Sequence, residues 1–382
     1  MISGARRIAY LTGTRADFGL MEGTLKSLQR HGADVGLLVT GMHLSAQFGM
    51  TVNEVEGSGL PVVARIALNV DDRSQEAMAQ AVGQAVTGVA AALAQLRPDL
   101  LLLLGDRGEM LAAAIAALHL GIPIAHLHGG ERSGTVDEPM RHAITKLSHL
   151  HLVATEQSRE RVVRMGEKPE HVFVVGAPSL DDVVHMTHGP REQVLLGLGL
   201  PNESHYALVL FHPVVQEMKQ AQAQVEAVLD ALRHEVLARG MHVVWLAPNA
   251  DAGSAAILAA MQGAAGPRVH VITHLPRLQY LDALAQAQVL VGNSSSGIIE
   301  AASLGTPVVN IGNRQQLRQR NANTLDCAAD AQAIRREIAR ALDGGRFPPS
   351  NVYGDGQSGE RIAQLLAAIA LPASLLDKSN AY

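Results

Sequence analysis

The stretch GDRGEMLAAAIAALHLGIPIAHLHGGERSGTVDEPMRH, residues 105–142, decides the fold of this 382-residue chain. It follows the apolar run Leu100–Leu104, and an alanine-rich segment within it leads to a second apolar run at residues 121–127. This pattern predicts a buried strand, a crossover helix and a second parallel strand. Because ligands bind outside the carboxyl ends of strands in open α/β sheets, we expect the charged residues that follow the two runs to form the active site. These residues are Asp106, Arg107, His128, Glu131, Asp137, Glu138 and Arg141.

The composition argues against several classes of function. A hydrophobic content of 47% excludes a disordered chain, and an aromatic content of 3% leaves no evident stacking platform for single-stranded nucleic acid. A net charge of −5 without a basic block argues against a nucleic-acid or anionic-membrane partner. The single cysteine, Cys327, excludes an internal disulfide and a cysteine-based zinc site. Since no apolar run approaches the ~18 residues of a membrane span and no signal-peptide core is present, we expect a cytoplasmic protein.

Strand and helix patterns alternate along both halves of the chain without hairpin signals. Residues 7–12 indicate the first strand, about 20–31 the first helix and 74–96 a long helix of small residues. Alternation of this kind predicts parallel sheets covered on both faces. The predicted fold class is therefore α/β, with two Rossmann-like, doubly wound domains facing a cleft. We place the first domain at residues 1–180, a nucleotide-binding domain at 181–358, and a closing helix and tail at 359–382.

The segment Gly292–Gly297, between a predicted strand and a helix, is the strongest anion-binding signal. Its small residues allow backbone N–H groups to approach an oxyanion, and Glu300 is placed to accept hydrogen bonds from a ribose diol. The alternative is an N-cap turn of small residues. Arg15 is a candidate clamp for a diphosphate, and His212 a candidate phosphate or sugar contact. The alternative for Arg15 is a solvated arginine without a ligand, and the alternative for His212 is an ordinary histidine at the end of a strand.

Two chemistries fit the polar residues after the second apolar run. His126 and His128 alternate on one predicted strand and would share a face, so a metal site with Asp137 or His142 is one possibility. Acid/base catalysis is the other, because a histidine beside carboxylates titrates near neutral pH. Asp106, at the preceding strand tip, is then the natural second member. We favour acid/base catalysis without a metal, and one of Asp137 and Glu138 is alternatively a helix cap.

Taken together, nine blocks of sequence resemble the UDP-N-acetylglucosamine 2-epimerases. The similarity runs nearly end to end and is closer to the hydrolysing branch, which includes sialic-acid biosynthetic epimerases. The blocks are GTRADFG (13–19), GDRGEM (105–110), HGGERSGTVDEPMRHAITKLSHLH (128–151), GAPSLDD (176–182), FHP (211–213), APNADAGS (247–254), GNSSSGIIEA (292–301), NIGNRQ (310–315) and VYGDG (352–356).

The resemblance implies a glycosyltransferase-B-type fold with the active site between the domains. It also implies a UDP-sugar substrate, no metal and no cofactor, and a homodimer or dimer of dimers. By motif, uridine diphosphate would be held by Ser294, Ser295, Glu300 and Arg314, with Arg15, His212 and Asn249 nearby. Asp106 and Asp137 would be catalytic, while Arg107, Glu131, Arg141 and Asp181 join the expected substrate-binding residues.

His128 departs from the pattern of the sialic-acid branch, which has a glutamate at this position. A relative that acts on a modified sugar, such as the UDP-linked diacetamido-trideoxyhexose leading to legionaminic-type acids, would explain the exchange.

The expected reaction is loss of the C1 diphosphate together with H2, which gives a glycal, followed by hydration with inversion at C2. The base and acid are assigned jointly to Asp106, His128 and Asp137, with His212 and Arg15 at the departing diphosphate. Three alternatives stay open: a non-hydrolysing epimerase, a glycosyltransferase of the same fold and an inert nucleotide-sugar sensor.

Overall fold

The run Leu100–Leu104 forms a strand that is buried along its whole length. A computed structural model describes residues 5–70, 72, 74–133, 137–248, 253–273 and 275–382. Leu100, Leu102 and Leu104 pack into one hydrophobic core, whereas Leu101 and Leu103 pack into a second core. Successive side chains of a strand point to opposite faces. An uninterrupted apolar run is therefore what a central strand covered on both sides requires.

Around this strand, the described residues of the first half form a seven-stranded parallel sheet in the order β3-β2-β1-β4-β5-β6-β7. The strand order reverses between β1 and β4, which is the switch point where such sheets bind ligands. The strands are β1 (Arg7–Thr12), β2 (Asp34–Thr40), β3 (Val62–Ile66), β4 (Leu100–Leu104), β5 (Ile124–Leu127), β6 (Leu150–Val153) and β7 (Val172–Val174). The helices are α1 (Arg15–Arg30), α2 (Val52–Gly57), α3 (Gln75–Leu96), α4 (Gly108–His119), α5 (Asp137–Leu147), α6 (Glu156–Arg164) and α7 (Ser179–His185).

The second half builds a six-stranded parallel sheet in the order β10-β9-β8-β11-β12-β13 over its described residues. Its strands are β8 (Tyr206–Leu210), β9 (His242–Leu246), β10 (Val269–Ile272), β11 (Val289–Gly292), β12 (Val308–Ile311) and β13 (Thr324–Cys327). Its helices are α8 (Arg191–Gly197), α9 (Ala221–Glu235), α10 (Ser254–Ala264), α11 (Arg277–Gln286), α12 (Ser295–Ile299) and α13 (Ala331–Gly344), and the chain continues into α14 (Ser358–Ala368). The predicted α/β fold class, with two doubly wound parallel sheets, is confirmed.

The chain divides into two compact units. The first unit comprises residues 1–131, 137–182 and 353–382, and the second comprises residues 132–136 and 183–352. The closing helix α14 therefore belongs to the first unit, because it packs against α1. Its first backbone N–H groups, on Ser358 and Gly359, donate to the carboxylate of Asp181 at 2.8 and 2.5 Å.

Helix α1 begins at Arg15 rather than near residue 20 as predicted. Thr14 and Asp17 form a capping box, in which each side chain accepts a hydrogen bond from the other residue's backbone N–H. The candidate phosphate clamp, Arg15, is thus the first residue of a helix rather than part of an open loop.

Helix α3 is long and apolar on average. By length and composition its segment Glu76–Leu96, with a mean hydropathy of 1.3, is sufficient for a membrane span, and 22% of it is buried. Alanine and valine alternate there with glutamine and glycine, so the helix is apolar on average without an unbroken apolar run. A helix of this kind is weak evidence for a membrane span, because core helices of other proteins meet the same criteria.

Candidate active site

Asp106 and Arg141 form the centre of the polar cluster in the first unit. Asp106 lies just after β4, and Arg141 lies one turn into α5. The guanidinium of Arg141 pairs with the Asp106 carboxylate. Arg141 also donates to the backbone carbonyl of Glu131 at 2.9 Å. The Arg141 side chain is 2% exposed and that of Asp106 is 24% exposed. The arginine is therefore buried, while the carboxylate is partly accessible to solvent. The Asp106 carboxylate is therefore oriented by a buried partner and accessible from solvent.

His128 and Glu131 extend the cluster after β5. The Nδ1 of His128 contacts Glu131 Oε1, and both side chains are largely buried. Because Arg141 holds the Glu131 carbonyl and pairs with Asp106, these contacts connect the tips of β4 and β5. Asp106, His128, Glu131 and Arg141 are therefore brought together as the sequence predicted, within one unit.

His128 does not share a strand face with His126, contrary to the sequence interpretation. Strand β5 ends at Leu127, and His128 has a φ of +64°, a left-handed conformation that costs a non-glycine residue of order 1–3 kcal/mol. The turn directs the imidazole towards Glu131 instead of continuing the alternation. Backbone strain at such a position is typical of functional sites.

Two histidines named in the metal alternative, His126 and His142, have partners within the protein. Both ring nitrogens of His126 make hydrogen bonds within the protein, Nε2 with the Gly105 carbonyl at 2.7 Å and Nδ1 with Thr145 Oγ1 at 3.2 Å. His142 Nε2 lies 3.5 Å from Glu138. Among the described residues, no group of three or more histidine, cysteine, aspartate and glutamate side chains is placed to hold a metal ion.

Other predicted residues of the first unit lie at the edge of this cluster or outside it. Asp137 is the first residue of α5, but its side chain lies outside the described residues. Arg107 precedes α4 and contacts Glu109 at 3.4 Å. Arg15 pairs with Glu54 at 2.8 Å. Asp181 caps α14 with both carboxylate oxygens, a structural role that the sequence analysis did not foresee.

Asp17 closes the loop that carries Arg15. Its carboxylate accepts hydrogen bonds from the backbone N–H groups of Gly13 and Thr14 at 3.1 and 2.9 Å, and it contacts the hydroxyl of Thr12. Burial raises the pKa of Asp17 to about 6, although the hydrogen bonds from Thr12 and the loop oppose the shift. The Asp17 carboxylate thus ties together the backbone at the tip of β1, and its pKa lies above the ordinary value of an aspartate.

In the second unit, Asn293 fixes the tips of β8 and β11 to each other. Its amide accepts from the backbone N–H of His212 at 2.7 Å and donates to the His212 carbonyl at 2.8 Å. Arg314 and Gln315 both donate to the Asn293 carbonyl at 3.1 Å. His212 and Arg314, two predicted ligand residues, are thereby held beside one buried asparagine. Asn293 was not predicted as a site residue, although it lies in the Gly292–Gly297 block.

The charge state of His212 follows from this position. Desolvation and, to a smaller extent, the positive charge of Arg314 lower the pKa of His212 to about 3. The imidazole is therefore neutral near pH 7 and is able to donate a hydrogen bond but does not supply a positive charge. Arg314 carries a positive charge beside it.

Ser294 and Glu300 lie on either side of the short helix α12. The Ser294 hydroxyl accepts from the backbone N–H of Ser296 at 3.3 Å, as the N-cap alternative predicted, and Ser295 opens the helix. Glu300 is buried, pairs with Arg277 at 2.5 Å and accepts from the Ser296 hydroxyl. Arg277 was not predicted, since an arginine that opens α11 carries no motif of its own. The last predicted ligand residue, Asn249, lies outside the described residues.

Comparison with known proteins agrees with the predicted resemblance. The profile of the family described as UDP-N-acetylglucosamine 2-epimerase matches residues 26–367. The chain is 46% identical to the UDP-N,N'-diacetylbacillosamine 2-epimerase (hydrolyzing) of Legionella pneumophila over 99% of this chain and 100% of that protein. It is 34% identical to a UDP-N-acetylglucosamine 2-epimerase of Neisseria meningitidis, with 94% and 95% covered.

Solved structures support the fold. The crystal structure of a UDP-GlcNAc 2-epimerase from Neisseria meningitidis bound to UDP-GlcNAc superposes with a TM-score of 0.78, covering 94% of this chain and 99% of that chain at 17% identity. The predicted family is thus confirmed, and hydrolysing 2-epimerisation of a UDP-linked sugar is the activity in the name of its relative from Legionella pneumophila. The chain belongs to the UDP-N-acetylglucosamine 2-epimerase family.

Proposed function

We propose that the protein is a hydrolysing 2-epimerase of a UDP-linked 2-acetamido sugar. The observation that carries the proposal is the carboxylate of Asp106, held by the buried Arg141 beside the His128–Glu131 pair. A reaction that removes a proton from C2 and returns one to its other face needs two proton-transfer groups near one sugar carbon. The cluster contains such groups, and the family match supports the same chemistry.

The reaction begins with an elimination. One group of the set Asp106, His128 and Asp137 accepts H2 while the bond from C1 to the diphosphate oxygen breaks, which leaves a glycal and uridine diphosphate. Water then adds at C1 as a second group returns a proton to the opposite face of C2. Arg141 and Glu131 orient these groups rather than exchange protons themselves. The products are free uridine diphosphate and a free sugar inverted at C2.

The departing diphosphate is assigned to Arg314, Arg15 and His212, together with the small residues Ser294 and Ser295. Arg314 supplies positive charge, whereas the neutral His212 supplies a hydrogen-bond donor. Asn293 keeps His212 in place through its side-chain amide and Arg314 through its backbone carbonyl. Glu300 is assigned to the ribose, with Arg277 fixing its orientation.

Within this class, we favour a UDP-linked diacetamido-trideoxyhexose as the substrate. The support is the 46% identity to a relative named for UDP-N,N'-diacetylbacillosamine, a sugar of this type, together with His128 at a position where the sialic-acid branch has glutamate. UDP-N-acetylglucosamine is the second candidate, because a relative named for that substrate is 34% identical over nearly the full length. With the first candidate, the released sugar would be a precursor of a legionaminic-type acid.

A product assay separates the two substrates. Purified protein is incubated with each UDP-sugar, and released uridine diphosphate and free sugar are quantified by chromatography and NMR. The proposal predicts a kcat/KM at least about tenfold higher for the diacetamido sugar, since differences of ~1.4 kcal/mol in binding the transition state are ordinary for substituents of this size. An enzyme that returns an inverted nucleotide sugar would refute the hydrolytic reaction.

We also propose a cytoplasmic homodimer or dimer of dimers. Helix α3 supports assembly, because the large apolar side chain of Met78 is 59% exposed there. Light scattering of the wild type and of Met78→Glu tests this proposal. A monomeric wild-type protein at micromolar concentration would overturn it.

A further inference from the structure

A buried histidine connects α5 to the strand tip that carries Asp106. His126 is fully buried on β5, and its Nε2 lies 2.7 Å from the carbonyl oxygen of Gly105, the residue before Asp106. Its Nδ1 lies 3.2 Å from Oγ1 of Thr145 on α5. Thr145 is itself fully buried. Neither His126 nor Thr145 has a role in the reaction as assigned above.

The partners fix the tautomer of His126. A carbonyl oxygen only accepts, so Nε2 carries the hydrogen and donates to Gly105. Nδ1 then accepts from the Thr145 hydroxyl. Burial is the main cause that lowers the pKa of His126 to about 3, so the ring is neutral near pH 7 and the directions of both hydrogen bonds are preserved.

The same helix also holds the side chain of Asp106. Arg141 and Thr145 are four residues apart on α5 and therefore lie on one face of it. Arg141 pairs with the Asp106 carboxylate, while Thr145 reaches the Gly105 carbonyl through His126. The backbone of Gly105 and the side chain of Asp106 are thus both held by contacts that lead to α5.

The glycine after His128 leaves room for this arrangement. A Cβ on Gly129 would lie 3.0 Å from Thr145 Oγ1 and 3.2 Å from His126 Nδ1, closer than ordinary van der Waals contact. The His-Gly-Gly segment therefore packs directly over the Thr145–His126 hydrogen bond. A side chain at residue 129 would press on it.

We propose that Thr145 and His126 are positioning residues that set the place of the Asp106 carboxylate relative to Arg141. The inference rests on the proposed function, since it takes Asp106 to be a proton-transfer group. Misplacement of a catalytic group by about 1 Å costs on the order of 100-fold in rate. Loss of the network should accordingly lower kcat and leave substrate binding nearly unchanged.

The test compares two substitutions at Thr145 on α5 with one at Ser148, the residue that follows the helix. Thr145→Val keeps the shape and removes the hydroxyl, Thr145→Ser keeps the hydroxyl, and Ser148→Ala removes a buried hydroxyl that donates to the Ile144 carbonyl at 2.7 Å. We expect kcat to fall about 10- to 100-fold in Thr145→Val with KM within about twofold. Thr145→Ser should recover most of the rate, and Ser148→Ala should keep it. Wild-type kcat in Thr145→Val, or an equal loss in Ser148→Ala, overturns the inference.

Two further measurements do not depend on turnover. Nitrogen-15 NMR of histidine-labelled protein should show His126 as the neutral Nε2–H tautomer in the wild type, and a crystal structure of Thr145→Val should show Asp106 displaced from Arg141. An Nδ1–H tautomer, or an unchanged Asp106–Arg141 pair in the variant, refutes the positioning role. A wild-type protein with this tautomer that releases no sugar from any UDP-sugar would instead refute the proposed function.

Discussion

Replacement of Arg141 by methionine is the sharpest perturbation of the cluster. Arg141 is 2% exposed, pairs with Asp106 and donates to the Glu131 carbonyl at 2.9 Å. Breaking a buried ion pair by removing one partner costs about 3–5 kcal/mol. The Asp106 side chain is 24% exposed, so water compensates part of that loss. We therefore expect Arg141→Met to lower the free energy of unfolding by about 2–3 kcal/mol.

The catalytic effect should be larger than the effect on stability. Without the guanidinium the Asp106 carboxylate loses the partner that orients it, and we expect kcat to fall at least about 100-fold. Urea unfolding followed by circular dichroism gives the first quantity, and release of free sugar gives the second.

Arg161→Met is the matched control for this prediction. Arg161 donates to the neighbouring Gly130 carbonyl at 2.8 Å and, like Arg141, supports the loop after β5. The Arg161→Met variant should have a lower free energy of unfolding than the wild type, with at most a few-fold change in kcat. Equal losses of kcat in the two variants would show that loop support, and not the pairing with Asp106, is what matters, and would refute the reasoning.

Three further predictions concern Asn293, Asp17 and His128. Asn293→Ala removes both hydrogen bonds to the His212 backbone, so the Kd for UDP should rise about tenfold by calorimetry. The control is Asn321→Ala, at another buried asparagine of the same unit, which should leave this Kd within about twofold. Burial raises the pKa of Asp17 from 3.8 to about 6, so the folded chain binds this proton more tightly than the unfolded chain, and the resulting stability is complete below pH ~4 and lost as the pH rises through 6. Asp17→Asn should remove that decline, gaining about 2–3 kcal/mol relative to wild type between pH 4 and 7 in urea unfolding; parallel pH curves would contradict this. His128→Glu should shift kcat/KM towards UDP-N-acetylglucosamine, and a variant indifferent to sugar identity would remove His128 from substrate selection.

The central strands were predictable because burial on both faces demands apolar runs. Leu100–Leu104 illustrates the point, since its residues alternate between two cores and none can be polar. Strand β3, at the edge of the first sheet, has a mixture of exposed and buried residues, and its sequence VVARI was not recognised. The start of α1 was also missed, although Thr14 and Asp17 form a capping signature that the sequence contains.

The candidate site was predictable in its members but not in its contacts. The strand-tip rule selected Asp106, His128, Glu131 and Arg141, which the structure brings together. Strict alternation failed at His128 because the strand ends one residue earlier and the backbone turns left-handed. No periodicity encodes such a turn. The partners Arg277 and Thr145 come from helices distant in sequence, and only the folded chain shows which carboxylate or histidine they reach.

Deuterium incorporation tests most directly the claim that Asp106 takes part in proton transfer at C2. The wild type and Asp106→Asn are incubated with the UDP-linked diacetamido sugar in heavy water, and UDP binding is measured in parallel. We predict free UDP and a C2-deuterated, C2-inverted free sugar from the wild type, and no deuterium at C2 from Asp106→Asn despite unchanged UDP affinity. Deuterium incorporation by Asp106→Asn at the wild-type rate would contradict the account.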